Sequence, residues 1–291
     1  MLVTLSRILK DAIKNKYAVG AFNVTNLESV IAVIRGAEAM NTGVILNYAE
    51  VHEMFIPIED MAPIMLHYAR SAKVPVCVHL DHGTSLEMCM KAMKLGFTSV
   101  MFDASSAEYE INVRETTLIC RVAHSVGVSV EAELGHVHTS DIGASEGKNQ
   151  EDLELLKSNE DMYTDPDLAK DFVERTGVDA LAIAFGTVHG IYKEKPILDL
   201  DRITDIKNKI DIPFVMHGGS GLSKDGLQGA IKNGIRKINY YTYMSMAGGV
   251  AVKEVIKKNL ENDNIFFHDI SLIGIDAMQH NVINAMKIFR M

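Results

Sequence analysis

Eight times along this 291-residue chain a short apolar, β-branched run ends in a polar or glycine-containing tip, and a segment of helical periodicity follows. The runs are AVGAFNV from Ala18, VILNYAE from Val44, VPVCVHLDHG from Val74, SVMFDAS from Ser99, VSVEAELGHV from Val128, DALAIAFGTVHG from Asp179, IPFVMHGGSG from Ile212 and RKINYYT from Arg236. They are continuously apolar rather than strictly alternating, as strands of a parallel sheet covered on both faces must be. Their starts fall 24 to 33 residues apart, except for a gap of 51 between the fifth and sixth. Eight βα units is the arithmetic of a (β/α)8 (TIM) barrel, a fold that fills ~250 residues as one domain. An open doubly wound sheet would want G-x-G-x-x-G after its first strand, and the chain has none there. The sequence therefore predicts an α/β protein, a single (β/α)8 barrel domain over residues 1–291.

The helical segments carry their own punctuation. Leu86 to Gly96 repeats apolar residues at near 3.6 spacing and ends in Gly, and NLESVIAVIRGAEAM reads the same way. TDPDLAKDFVERTG opens with Thr164 as candidate N-cap, followed by Asp165 and Pro166. The widest interval, about 135–163, is polar and glycine-containing, and longer than an ordinary βα connection. That marks it as a candidate mobile lid.

Active sites of such barrels sit at the carboxyl ends of the strands, and the reactive residues fall there. His82 tips the third run beside Asp81, His189 ends the sixth and His217 the seventh. Three imidazoles from three strand tips can hold one divalent metal and leave a position open for substrate. Imidazole suits zinc, and equally cobalt, nickel or iron. Asp81 is placed as general acid/base beside that metal. Asp103 and Glu133, at the fourth and fifth tips, can support the ligands or hold an auxiliary cation. Glu131, two residues deeper than Glu133, reads as a structural ion pair. Gly218, Gly219 and Ser220 (GGSG) precede a helix candidate, and with Asn239 and Thr242 on the eighth run they fit a phosphate cradle.

Charge narrows the partners. Lys and Arg number 29 against 38 Asp and Glu, a net charge of −9, which argues against nucleic acid or an anionic membrane as partner. No apolar stretch approaches ~18 residues, and the start has no cleavable signal, so a soluble cytoplasmic protein is expected. Three cysteines without C-x-x-C make neither a disulfide framework nor a zinc knuckle.

Taken together, HLDHG, VEAELG, GTVHG, HGGSG and KIN resemble the class II, metal-dependent ketose-bisphosphate aldolases, the fructose- and tagatose-bisphosphate type. The opening LVTLSRILKDAIKNKYAVGAFNV and the segment YTDPDLAKDFVERTGVDALAIAFGTVHG extend the resemblance over nearly the whole chain. It implies His82, His189 and His217 as ligands of a catalytic Zn2+, Asp81 as proton donor, and Asp103 and Glu133 at an auxiliary metal position. Gly190, Gly218, Gly219, Ser220 and the segment Asn239, Tyr240, Tyr241, Thr242 match the site for the dihydroxyacetone-phosphate half of a sugar phosphate. A monovalent cation (Na+ or K+) and a homodimer or homotetramer are further implications. Three positions depart from the family pattern. Asp141 falls where the lid glutamate that moves a proton at carbon is expected, Tyr241 where Asp, Ala or Asn is common, and Ala49 where many relatives have Ser. Those changes fall on the substrate-selecting rim, and the residues Tyr240, Tyr241 and Ala49 suggest that the preferred aldehyde half or ketose differs from that of fructose bisphosphate. The activity this implies is reversible aldol cleavage of a ketose (bis)phosphate. Two rivals share the same residues: a metal-dependent hydrolase, which would release phosphate, and a degenerate barrel that binds sugar phosphate without turnover.

Overall fold

A computed structural model describes residues 1–139, 162–192, 195–259 and 265–291. Eight parallel strands close into a barrel. In chain order they are β1 (Val19–Asn23), β2 (Val44–Ala49), β3 (Val76–Gly83), β4 (Ser99–Phe102), β5 (Ser129–Leu134), then, after the two-residue strand β6 (His138–Thr139), β7 (Ala180–Ile183). A second two-residue strand, β8 (Val188–His189), pairs with β6 outside the barrel, which β9 (Phe214–Met216) and β10 (Ile235–Tyr240) complete against β1. The helices are α1 (Leu5–Asn15), α2 (Leu27–Ala39), α3 (Ile58–Ser71), α4 (Leu86–Leu95), α5 (Tyr109–Ser125), α6 (Pro166–Thr176), α7 (Leu200–Lys207), α8 (Lys224–Asn233), α9 (Thr242–Lys258) and α10 (Phe267–Phe289). No described helix is long and apolar enough to cross a membrane.

The eight runs thus become eight barrel strands, with one correction. DALAIAFGTVHG is two strands, not one: the sixth barrel strand ends at Ile183, and His189 sits on β8 beyond a turn through Gly186 (φ +110°). A second correction concerns the start of α6. Its N-cap is Asp165, whose carboxylate accepts from the Asp167 and Leu168 amides, with Pro166 at the first turn. Thr164 is buried instead; its hydroxyl donates to the Leu134 carbonyl and accepts from the Ala184 amide, tying β5 to β7. Gly96 ends α4 in the left-handed region as its sequence suggests.

Inside the barrel the side chains are layered. At the amino end, Leu5, Ile8, Leu9 and Ala12 of α1 pack with the inward Val19, Ala21, Ile45, Cys77, Met101, Ala180, Ala182 and Val215 as one apolar plug. That closes the bottom, with Glu131 and Lys237 buried level with the plug residues Met101 and Val19 and the other buried charged residues nearer the strand tips. Outward-facing strand residues join the larger core beneath the helices. Of the proposed lid, residues 140–161 lie outside the described residues, and Asp141 with them.

Candidate active site

Alternation along β3 turns His79 and Asp81 inward and would turn His82 out. The chain solves this with an irregularity. The β3–β4 register shifts between Leu80 and Gly83, and His82 adopts φ +50°, which swings its ring back over the barrel mouth. A non-glycine residue in the left-handed region costs of the order of 1–2 kcal/mol, so the surrounding contacts must hold it there. One is explicit: His82 Nδ1 lies 2.8 Å from Asp103 Oδ2.

Three imidazoles converge. Ring centroids of His82 and His217 are 4.6 Å apart, those of His82 and His189 5.1 Å, and those of His189 and His217 5.5 Å. One nitrogen from each lies within 4.8 Å of the others, and all three residues are buried. His82 Nε2 and His217 Nδ1 are buried without a hydrogen-bond partner. Unpaired buried ring nitrogens aimed at a common point are costly unless something fills it. A divalent ion fits this donor set, and the preference of imidazole for borderline metals agrees. Asp103 and Glu133 form a second group with His82 on the same distance criterion, which brings the expected auxiliary pair together. Glu133 Oε1 accepts from the Ser105 hydroxyl at 3.1 Å, and its Oε2 lies 3.4 Å from His217 Nδ1.

Asp81 is held from two sides. Asn239 Nδ2 donates to Oδ1 at 3.0 Å and Asn23 Nδ2 to Oδ2 at 3.2 Å, while Asn47 Nδ2 donates on to Asn23 Oδ1 at 3.3 Å. Burial would raise the Asp81 pKa, but His82, Lys237, His217 and His79 outweigh it and hold the carboxyl well below its usual range. For His82, burial acts downward and the carboxylates of Asp81, Asp103 and Glu133 act upward more strongly, to about 9. His189, buried and flanked by His82 and His217, is shifted well down and stays neutral. The mouth therefore combines one carboxylate kept charged and one imidazole kept neutral.

The cradle forms differently from its sequence reading. Gly218 has φ +65°, and a Cβ there would overlap the Val188 carbonyl oxygen; at Gly219 it would meet Ile238 and the Asn239 carbonyl. The Gly219 amide already donates to the Asn239 carbonyl at 3.1 Å, and Ser220 Oγ accepts from the Tyr241 amide at 3.1 Å. The helix after GGSG, α8, begins only at Lys224 and is capped by Ser223 Oγ. The helix start beside the cradle is that of α9, where Tyr241 provides no side-chain cap. Gly190 (φ +87°) follows His189 directly. Thr242 and Asn239 are buried, and Asn239 Oδ1 has no hydrogen-bond partner.

Tyr240 is a correction. Parity with Asn239 turns its ring outward, 5.8 Å from Phe22 and 6.1 Å from Phe289, so its side chain belongs to the outer core and not to the cradle. Tyr241 packs 5.3 Å from the ring of His52, a residue the sequence offered no reason to single out. Ala49 is buried and pairs in register with Asp81. Sequence reasoning also passed over Asn23, Asn47 and Lys237; the first two lie on inward strand positions beneath Asp81. Lys237, two residues before Asn239, is fully buried against Glu131.

The family described as "Fructose-bisphosphate aldolase class-II" matches residues 3–291. A fructose-bisphosphate aldolase of Geobacillus stearothermophilus is 38% identical over 293 residues, covering 99% of this chain and 96% of its own. One of Staphylococcus aureus is 39% identical over 264 residues, 89% of this chain and 88% of the relative. Among solved structures, the YdjI aldolase from Escherichia coli K12 superposes with a TM-score of 0.84 at 34% identity, covering 99% of this chain and 97% of that one.

Proposed function

The chain belongs to the class II fructose-bisphosphate aldolase family, and from that premise we propose that it catalyses reversible aldol cleavage of a ketose bisphosphate to dihydroxyacetone phosphate and an aldehyde. The observation that carries the reading is the convergence of His82, His189 and His217 beside a carboxylate, Asp81, that two asparagine amides keep charged and oriented.

In this proposal the substrate phosphate sits among Gly218, Gly219, Ser220 and the start of α9. Among the described residues the Ser220 and Gly221 amides donate to no backbone acceptor, which supports a role in holding it. Asn239 Oδ1, unpaired and buried, accepts from a sugar hydroxyl. A divalent ion held by the three histidines would supply Lewis acidity toward the ketose carbonyl. Asp81 takes the proton of the C4 hydroxyl as the C3–C4 bond breaks. Asp103 orients His82 through Nδ1, leaving Nε2 for the ion. Delivery of a proton to the carbon left behind is assigned to Asp141 on sequence alone. Zinc as the ion, a second ion at Asp103 and Glu133, a Na+ or K+ requirement, assembly as homodimer or homotetramer, and a cytoplasmic setting belong to the same proposal. So does the choice between fructose and tagatose bisphosphates, to which the departures at Tyr241 and Ala49 are assigned.

The test is a coupled assay for dihydroxyacetone phosphate with both sugars, with and without chelator. Release that EDTA abolishes and zinc or cobalt restores is the expected result. Free phosphate in place of dihydroxyacetone phosphate, or tight binding without turnover, would overturn the aldolase reading.

A further inference from the structure

Beneath the three histidines lies a buried charge pair that the reaction itself does not use. Lys237 sits on the inward face of β10 with no exposure, and its Nζ straddles Glu131, 2.8 Å from Oε2 and 3.1 Å from Oε1. Glu131 Oε1 in turn lies 3.1 Å from His217 Nε2. Its Oε2 lies 3.6 Å from His79 Nε2, and His79 Nδ1 is 2.8 Å from Ser99 Oγ. This level of a barrel is ordinarily filled by branched apolar side chains. Taking an ammonium and a carboxylate out of water carries a desolvation penalty, and well-packed apolar replacements are often as stable or more so. Packing therefore gives no reason for Lys237.

The reason lies one bond further on. His217 has two ring nitrogens, and only one can face the other ligands. A carboxylate at Nε2 favours the proton there and leaves the Nδ1 lone pair free, and Nδ1 is the atom without a hydrogen bond, with Glu133 Oε2 3.4 Å away. Glu131 serves this purpose only while it stays charged and does not rotate. An ammonium that donates to Oε1 and lies 2.8 Å from Oε2 secures both conditions. We propose that Lys237 is a positioning residue for the metal site: through Glu131 it fixes the tautomer and ring orientation of His217. The inference rests on the reading of His82, His189 and His217 as metal ligands.

The test uses the full-length protein stripped of metal, as wild type, Lys237→Met and the uncharged pair Lys237→Met/Glu131→Gln. Zinc affinity is measured by competition with a chromophoric chelator, and site geometry by the visible spectrum of bound Co2+. A partner group of this kind typically contributes 10–100-fold to metal affinity. Lys237→Met is expected to lose affinity by that factor, with an altered Co2+ spectrum. The double variant, free of an unpaired buried charge, regains thermal stability yet stays at least tenfold weaker for zinc. Wild-type zinc affinity and Co2+ spectrum in either variant would reduce the pair to a purely structural role and overturn the proposal. If Lys237→Met does not fold, the double variant decides alone by the same criterion. Failure of the wild type itself to bind metal would instead refute the ligand reading of the three histidines.

Discussion

At the level of single residues, Asp81 is the most constrained group in the mouth. Two amide donors and four neighbouring cationic or potentially cationic groups favour its charged form. Asp81→Asn keeps the shape and removes the proton acceptor, so kcat is expected to fall by about 10²–10⁴-fold. Zinc content should stay at the wild-type value, because no metal-ligand nitrogen depends on Asp81 for its hydrogen bond; loss of metal together with activity would contradict the assignment. His82 supplies a pH signature. Its metal-free pKa of about 9 exceeds the unfolded value of about 6.5. In metal-free protein its imidazolium therefore stabilises the fold fully below pH 6.5 and loses that contribution as pH rises through about 9. Metal needs the neutral ring, so zinc binding at pH 7 should release about one proton, measurable by calorimetry in buffers of differing ionisation enthalpy. Much of this was legible from residue types and strand parity. Histidines at strand tips announce themselves, and counting back by two from Asn239 also marks Lys237 as inward and Tyr240 as outward. What parity cannot give is His82, whose side chain faces inward only because of a backbone irregularity that no residue type announces.

Elements fix where those side chains meet. The turn through Gly186 and the parallel pairing of Val188 and His189 with His138 and Thr139 lift His189 off the barrel. Gly218 then packs its α-carbon against the Val188 carbonyl, joining the β9 tip to β8. This contact makes the proposed cradle and the proposed ligand His189 a single mechanical unit. Gly218→Ala is expected to lower thermal stability by more than the roughly 1–2 kcal/mol of a left-handed alanine and to weaken zinc binding as His189 is displaced. Gly177→Ala provides the reference, since Gly177 has a similar φ of +71° and nothing within 4 Å of its would-be Cβ. Equal losses in the two variants, read by calorimetry and zinc titration, would show that the Val188 contact is immaterial. The sequence marks all eight barrel strands because continuous apolar runs are what a doubly covered parallel sheet needs. It hides the break within the sixth run, where Ala184 and Phe185 continue the apolar pattern past the last ladder residue. The cap at Asp165 was masked by an equally good capping residue one position earlier, which burial diverts to another bond.

For the whole molecule, the order of layers decides where chemistry is possible. α1 and the inward apolar residues pack the amino end, Glu131 and Lys237 pair with each other level with the plug residues Met101 and Val19, and Asp81, Asp103 and Glu133 face His82, His189 and His217 nearer the carboxyl end. Without metal that layer retains unpaired buried nitrogens on His82 and His217 and an unpaired oxygen on Glu133, each a local penalty of about 1–3 kcal/mol. An ion taken up there joins β3, β8 and the β9 tip, three segments far apart in sequence, and it binds the folded chain in preference to the unfolded one. At 100 times the dissociation constant such a ligand adds about 2.7 kcal/mol. Scaled by about 2.1 cal/mol/K per residue, that is a Tm rise of roughly 4 °C for a chain of this length. Metal-stripped protein should therefore melt about 4 °C below the same protein with zinc at that excess, and Tm should climb with the logarithm of free zinc. The same titration on His217→Ala separates this from a general effect of zinc on the surface. If the shift survives loss of that ligand, the ion that stabilises the fold is not the one held at the barrel mouth.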